Sequence, residues 1–428
     1  MFALLLAVIG LSHPRAAMAQ GCVAGWVPGT GPHVPETVWA LTVLPGGDVI
    51  VGGSFTNAGG AARADNIARY NPASNSWSAL GTGLTGTPYA LAVLPGGDVI
   101  VGGSLGFASG VPVNNIARYS PASNSWSALG AGILGTVLSL AVLPNGDVIV
   151  GGNFSGAGGV SANNIARYSP ASNSWSTLGM STNSTVYALA VLPGGDVIVG
   201  GEFFLAGGVS AHDIARYSPA NDTWSALGSG TYGTVHALAG LPGGDVIVGG
   251  NFPSAGGAAA SNIARYSPAS DSWSALGSGT SSSVLALAVL PGGDMVVGGN
   301  FFFAGGVRAN FIARYGPASN SWSALGSGVS TAGASGVLAL AALPNGDVVV
   351  GGYFGAVGGS ASATIARYTF GPACPADFDC NGTLAVADIF AFLDAWFAAD
   401  PRADFDGAGG VQVADIFAFL NAWFAGCS

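Results

Sequence analysis

Tyr187-Ala-Leu-Ala-Val-Leu192, Pro193-Gly-Gly-Asp196, Val197-Ile-Val-Gly-Gly201, Ile214-Ala-Arg-Tyr217 and Thr223-Trp224 form one copy of a unit that the chain writes seven times. The first six residues alternate and read as a half-buried strand. Pro193–Asp196 supplies a hairpin turn, with glycines where a positive φ is needed. Asp196–Gly201 is a short apolar run suited to burial on both faces. After a variable connection, Asp213–Tyr217 reads as a third strand. Ser218-Pro-Ala-Asn-Asp222 then turns the chain into a fourth strand, Thr223–Leu227. Four strands of about five residues make one small antiparallel sheet.

Outward from this copy the period holds. Trp77, Trp126, Trp175, Trp224, Trp273 and Trp322 are 49 residues apart, and Val-Gly-Gly recurs from Val51 to Gly352. Ile-Ala-Arg-Tyr recurs from Ile67–Tyr70 to Ile365–Tyr368. A period near 50 with four short strands predicts an all-β fold, a seven-bladed β-propeller over residues 20–370. The seventh copy stops at Phe370 without an outer tryptophan strand, whereas Trp26-Val-Pro-Gly29-Thr30-Gly31 imitates Trp77-Ser-Ala-Leu-Gly81-Thr82-Gly83. Residues 24–31 are therefore expected to complete the last blade and remove its exposed edge.

Whatever all seven copies share is architecture first. The hairpin aspartates (Asp48 to Asp347) and the arginines before the blade tyrosine (Arg69 to Arg367) are expected to form structural ion pairs or turn hydrogen bonds. Composition agrees with buried strands: half of the residues are hydrophobic and only 7% charged. A net charge of −10, with 11 cationic residues, argues against a nucleic-acid partner. Beyond the first ~20 residues no apolar run is long enough for a membrane span. Residues 1–19 read as a signal peptide, with Phe2–Leu11 as apolar core and Ala17-Met18-Ala19 as a small-x-small cleavage site. That predicts an exported, extracellular or cell-surface protein whose four cysteines meet an oxidising compartment.

The double glycine followed by Tyr217 and, seven residues on, Trp224 resembles the kelch repeat. Gly-Gly-x-Phe and Ile-Ala-Arg-Tyr also resemble the propeller repeats of cortical-marker proteins, over roughly residues 24–370. This resemblance implies fold and leaves function open.

Two connections vary between copies: the one after Gly-Gly and the one entering the next blade. Both emerge on one face of a four-stranded blade, where a ligand site would be individualised. Glu202, Phe204, His212, Asp213, Tyr232, Phe302, Phe303 and Arg308 are its ligand candidates. One phenylalanine per blade (Phe55, Phe154, Phe203, Phe252, Phe301, Phe354) is expected to pack under its own loop. Catalytic signals are thin. His33, His212 and His236 have no metal or triad spacing, and Glu36 and Glu202 are the only glutamates.

The tail is of another kind. Asp377-Phe-Asp379-Cys-Asn381-Gly382-Thr383-Leu-Ala-Val-Ala-Asp388 has oxygen donors at positions 1, 3, 5 and 12, glycine at 6 and a backbone carbonyl at 7, a pattern suited to Ca²⁺. A second copy, Asp404-Phe-Asp406-Gly-Ala408-Gly409-Gly410-Val-Gln412-Val-Ala-Asp415, begins 27 residues later. Helices are expected at Ile389–Ala398 and Ile416–Ala425. Ala408 lacks the ligand of position 5, so the second of the two Ca²⁺ sites is expected to be weaker. Asp377, Asp379, Asn381, Thr383 and Asp388, and Asp404, Asp406, Gly410 and Asp415, are the metal candidates.

Two such loop–helix units closing on Asp resemble a dockerin domain over residues 374–427, of the cysteine-framed type found at the ends of exported planctomycete proteins. The resemblance implies calcium-dependent folding and docking onto a cohesin-like or cell-surface receptor. It also implies a Cys374–Cys427 clasp, with Cys22–Cys374 as the rival pairing. Phe390, Phe392, Phe397, Phe417, Phe419 and Phe424 are expected to divide between docking surface and core. The leading reading is an exported, non-catalytic propeller that binds a glycan or protein, anchored through a calcium-dependent dockerin. Its alternative is a polysaccharide-degrading hydrolase or lyase acting on the same variable face.

Overall fold

The computed structural model describes residues 24–29, 31, 36–60, 64–331, 336–370, 376, 378, 385–400, 403–406 and 410–425. The signal-peptide reading and all four cysteines, including the Cys374–Cys427 pairing, lie outside the described residues. The chain divides into two compact units, residues 25–369 and a smaller one that takes in the C-terminal segment.

The larger unit is all-β and propeller-like. Among the described residues it contains seven antiparallel sheets, each with a four-stranded path; the second and third carry one further short strand, and all but the seventh follow simple meander order. The fourth consists of Val186–Val191, Val197–Gly201, Ile214–Ser218 and Thr223–Ala226. Asp213 stands just outside its strand because its φ is +64°. The seventh sheet joins Gly25–Pro28 to Ile365–Thr369, with Trp26 opposite Tyr368. Each innermost strand packs on that of the next sheet, and the last packs on the first, so the inner strands encircle an axis.

Apolar packing between sheets holds this unit together. Val197–Gly201 is wholly buried, while the innermost strand alternates buried and half-buried positions. One inter-sheet cluster joins Val38, Val49 and Val51 of the first sheet to Ala341, Val349 and Ile365 of the last. Each fully buried Val, Ile or Leu side chain contributes roughly 1.5–3 kcal/mol. Six of the seven repeated tryptophans, all but Trp77, latch neighbouring sheets. Trp224 Nε1 donates to the Leu178 carbonyl oxygen (3.1 Å) in the preceding sheet, and Trp26 Nε1 donates likewise to Leu325 (3.0 Å).

The repeated charges form seven Asp–Arg ion pairs at the hairpin turns, from Asp48–Arg69 to Asp347–Arg367. At Asp147 burial favours the neutral carboxyl. Hydrogen bonds from Arg167, Ser169 and Asn145 outweigh it and hold the group below its ordinary range. In the first six copies the tyrosine next to the arginine donates its hydroxyl to an Asn or Asp five residues on, as in Tyr217–Asp222 (2.8 Å).

The smaller unit has helices α1 (Val386–Phe397) and α2 (Val413–Ala425). Both begin three residues before the expected starts at Ile389 and Ile416. The physical reason is that Asp388 and Asp415 cap the preceding turn. Asp388 Oδ2 accepts from Ala385 N (2.8 Å), and Asp415 Oδ2 accepts from Gln412 N (2.7 Å). The repeats interlock reciprocally: Trp396 Nε1 donates to the Gln412 carbonyl oxygen (2.8 Å) and Trp423 Nε1 to that of Ala385 (3.1 Å). Phe392 and Phe419 are fully buried and stack at 4.2 Å, while Phe390, Phe397, Phe417 and Phe424 are exposed. No helix among the described residues is long and apolar enough to cross a membrane.

Candidate functional site

The register of each inner hairpin decides where variability goes. Val43 opposes Val49 beside the nearly constant turn, whereas Val38 opposes Gly53 at the other end. Both variable connections leave from that second end. There the structure brings Glu202, His212, Asp213 and Tyr232 together between the fourth and fifth sheets. His212 and Tyr232 stack at 5.2 Å, and Asp213 Oδ2 accepts from Gly233 N (3.1 Å). Burial raises the Asp213 pKa, with the Gly233 N–H working against it.

Phe302, Phe303 and Arg308 form a second group on the sixth sheet. Phe303 pairs with Arg308 in a two-residue hairpin, Arg308 Nε donates to Asn310 Oδ1 (3.2 Å), and Phe302 packs on Phe311. Phe204, Phe302, Phe303 and Tyr232 are all exposed, whereas Phe55, Phe154, Phe203, Phe252, Phe301 and Phe354 are buried.

Sequence reasoning missed a ring of residues nearer the axis. Every innermost strand carries a register shift at an equivalent position near the variable end, and those of the second and third sheets carry one more. The bulged residue is Trp39, Tyr89, Tyr187 or His236 in four sheets and leucine (Leu138, Leu285, Leu338) in three. Trp39 meets Tyr89 edge-on at 5.7 Å, and Tyr187 meets His236 at 5.3 Å. Burial lowers the His236 pKa, and the charge of nearby Glu202 partly opposes that shift.

The bulge also accounts for the double glycine. A Cβ on the second glycine of each pair would strike the carbonyl oxygen of the inner strand, Thr37 at Gly53 and Thr185 at Gly201. A Cβ on the first would press on the next sheet, as Gly200 on Val235. The signal for the ring was available. Between a buried Val or Pro and a small residue, this one position changes identity in copies that otherwise repeat.

After the first Gly-Gly, Ser54 reaches toward the following sheet, its Oγ 3.1 Å from Thr87 Oγ1. This position also varies, holding Ser, Asn, Glu or Tyr. From one of them, Asn153, a groove of about 490 Å³ is lined by Leu134, Asn163, Asn164, Thr182 and Asn183, with no charged side chain.

In the smaller unit, carboxylate oxygens of Asp404, Asp406 and Asp415 lie within 4.8 Å of one another and could hold a metal ion. Two oxygens each about 2.4 Å from one Ca²⁺ can be no further apart than that. Asp404 Oδ1 is buried without a hydrogen-bond partner among the described residues, while its Oδ2 accepts from Gly410 N (3.0 Å). Backbone N–H groups of Asp406 and Gln412 hold the Asp415 carboxyl below its usual range. Asp388 is fully buried at the start of α1. Asp377, Asp379, Asn381 and Thr383 lie outside the described residues.

Three overlapping matches to the model of the Rax2 C-terminal beta propeller domain cover residues 32–142, 89–191 and 176–289. Together they span more than half of the chain. It belongs to the Rax2-type beta-propeller family. A beta-propeller domain of unknown function matches residues 291–319 and 343–369, later in the same Rax2-type array. No curated protein matches the chain.

Among solved structures, the Rax2-type propeller is similar to the extracellular domain of a hybrid two component system of B. thetaiotaomicron, BT4673 (TM-score 0.54, 12% identity, 80% of this chain and 39% of that one). Another structure of the BT4673 extracellular domain gives a TM-score of 0.51 at 12% identity, with the same coverage. The WD40 beta propeller domain of Doa1 matches with a TM-score of 0.52 and 15% identity, over 81% of this chain and 96% of that one. The chain thus spans about two fifths of the length of the B. thetaiotaomicron domains. At these identities the likeness is one of fold.

Proposed function

We propose that the chain is an exported, non-catalytic binding protein. Its sheets form a seven-bladed, kelch-like propeller whose variable-loop face takes a glycan or protein ligand. Residues 374–427 form a dockerin-like domain that attaches it, in a calcium-dependent way, to a cohesin-like or cell-surface receptor. One observation carries the binding role: copies that repeat nearly residue for residue diverge at the end where both variable connections and the bulged residues lie. Divergence concentrated at one end of a rigid scaffold is what individualising a ligand site requires. Asp213, the partly buried acid of that face, is engaged in holding a loop.

The anchoring role is supported by the carboxylates of Asp404, Asp406 and Asp415 and by the unsatisfied Asp404 Oδ1. In this reading these three aspartates and Gly410 hold one Ca²⁺, and Asp388 with the first loop holds the other. The ion supplies charge neutralisation that fixes the loops against α1 and α2. Calorimetric titration of the full chain with Ca²⁺, followed by receptor pull-down with and without chelator, tests it. Two binding events of unequal affinity and a chelator-sensitive pull-down are expected. Absence of Ca²⁺ binding removes the anchoring role, and failure to retain any glycan or protein removes the binding role.

A further inference from the structure

We infer that the mouth of the ring binds a neutral or N-acetylated saccharide, held between the bulged aromatic residues at the axis. This rests on the binding role proposed above and gives it a place and a ligand chemistry. The bulge exists in all seven sheets, but three of them fill it with leucine, so the fold does not require an aromatic ring there. The aromatic rings come in two neighbouring pairs. Trp39 and Tyr89 belong to the first and second sheets, Tyr187 and His236 to the fourth and fifth. In a ring of seven, those pairs stand on nearly opposite sides of the axis. A bulge leaves its residue out of the ladder and re-aims the side chain, and Trp39 is 38% exposed although it sits mid-strand. Facing pairs of partly exposed rings offer stacking platforms for the apolar faces of a sugar.

The polar groups around them suit hydroxyls and amides rather than anions. The position after Gly-Gly contributes Ser104, Asn153, Asn251 and Asn300, with Glu202 as the acid beside His236. Asn300 Oδ1 is buried without a hydrogen-bond partner among the described residues. The groove from Asn153 continues this uncharged, amide-rich lining outward. An acidic polysaccharide would meet Glu202 and a chain of net charge −10. A neutral sugar meets no such penalty.

The test is hydroxyl-radical footprinting of the full chain with cellohexaose, mannohexaose, chitohexaose or oligogalacturonate, with affinities by calorimetry. Expected is protection of Trp39, Tyr89, Tyr187 and His236 by at least one of the three uncharged oligosaccharides. Trp39→Ala and Tyr187→Ala should each weaken binding about tenfold or more, whereas Trp39→Phe, which keeps a ring, should stay within about threefold of wild type. Footprinting of the unmutated chain keeps the test meaningful should an alanine variant misfold. Saccharide binding with protection confined to Phe204, Phe302 or Phe303 overturns this site and leaves the binding role standing. So does tighter binding of oligogalacturonate, or capture of a protein with no saccharide bound. No ligand of either kind overturns both.

Discussion

Four glycine substitutions give a graded test of how the sheets are built. At Gly201 an ideal Cβ would lie 2.1 Å from the Thr185 carbonyl oxygen, where real Cβ atoms essentially never come within 3.0 Å. That atom is backbone inside a hydrogen-bonded hairpin, so relief means moving the inner strand by nearly 1 Å and disturbing the bulge. Gly201→Ala should cost about 3 kcal/mol or more, the upper end of overpacking. At Gly200 the obstacle is the Cγ1 of buried Val235, at 2.4 Å. A side chain yields more readily than backbone, and about 1–3 kcal/mol is expected.

Gly52 occupies the same place in the first sheet, but its neighbour is Pro88 Cγ at 3.1 Å. Gly52→Ala should therefore cost about 1 kcal/mol or less. Gly194, in the turn, has nothing within 4 Å of its Cβ direction and no positive φ. Asn145 and Asn345 already fill that turn position in two other copies. Gly194→Ala should be neutral or stabilising by about 0.4–1 kcal/mol, through the unfolded chain. Guanidinium midpoints of the full chain, followed by tryptophan fluorescence, would rank the four. Gly201→Ala unfolding at the wild-type midpoint, or Gly194→Ala falling below Gly200→Ala, would refute the packing argument.

Other perturbations are as specific. Phe392→Ala should remove the stack on Phe419 and cost about 3–5 kcal/mol, more than a unit of this size can lose. Circular dichroism should show the helical signal of α1 and α2 disappearing. Asp404→Asn should abolish the weaker of the two Ca²⁺ events in calorimetry and spare the other; survival of both would exclude Asp404 as a ligand. Burial raises the pKa of the seven blade tyrosines, Tyr70 to Tyr368, above the ordinary 10.0. Groups whose folded pKa is raised lend stability that is whole below pH 10 and is lost as pH climbs toward their folded values. A cooperative alkaline unfolding above pH 10, coincident with ionisation of these seven tyrosines, is expected, and their gradual ionisation in a folded chain would contradict it. For the half-exposed Arg216, a double-mutant cycle with Asp196 should return only about 0.2–1 kcal/mol; a coupling of several kcal/mol would show that the pair is desolvated.

The sequence by itself determined the all-β repeat, the strands within a residue or so, and the face on which variability gathers. Alternation, turn glycines and a 49-residue period are local and repeated seven times, so each copy corroborates the others. Ligand spacing is likewise a local property, which is why the tandem aspartate loops could be proposed from sequence. Tertiary structure decided the rest. The first strand's partner, Ile365–Thr369, is some 340 residues away, and only the pairing puts Trp26 against Tyr368. The bulge of Tyr187 is a mismatch between two strands, invisible in either alone, and it turns an unremarked strand residue into a ring around the axis. Helix starts at Val386 and Val413 depended on where Asp388 and Asp415 find their N–H donors. Phe392 and Phe390, two residues apart and alike in sequence, divide into core and surface because a helix turns about 200° between them and only one side meets the neighbouring repeat.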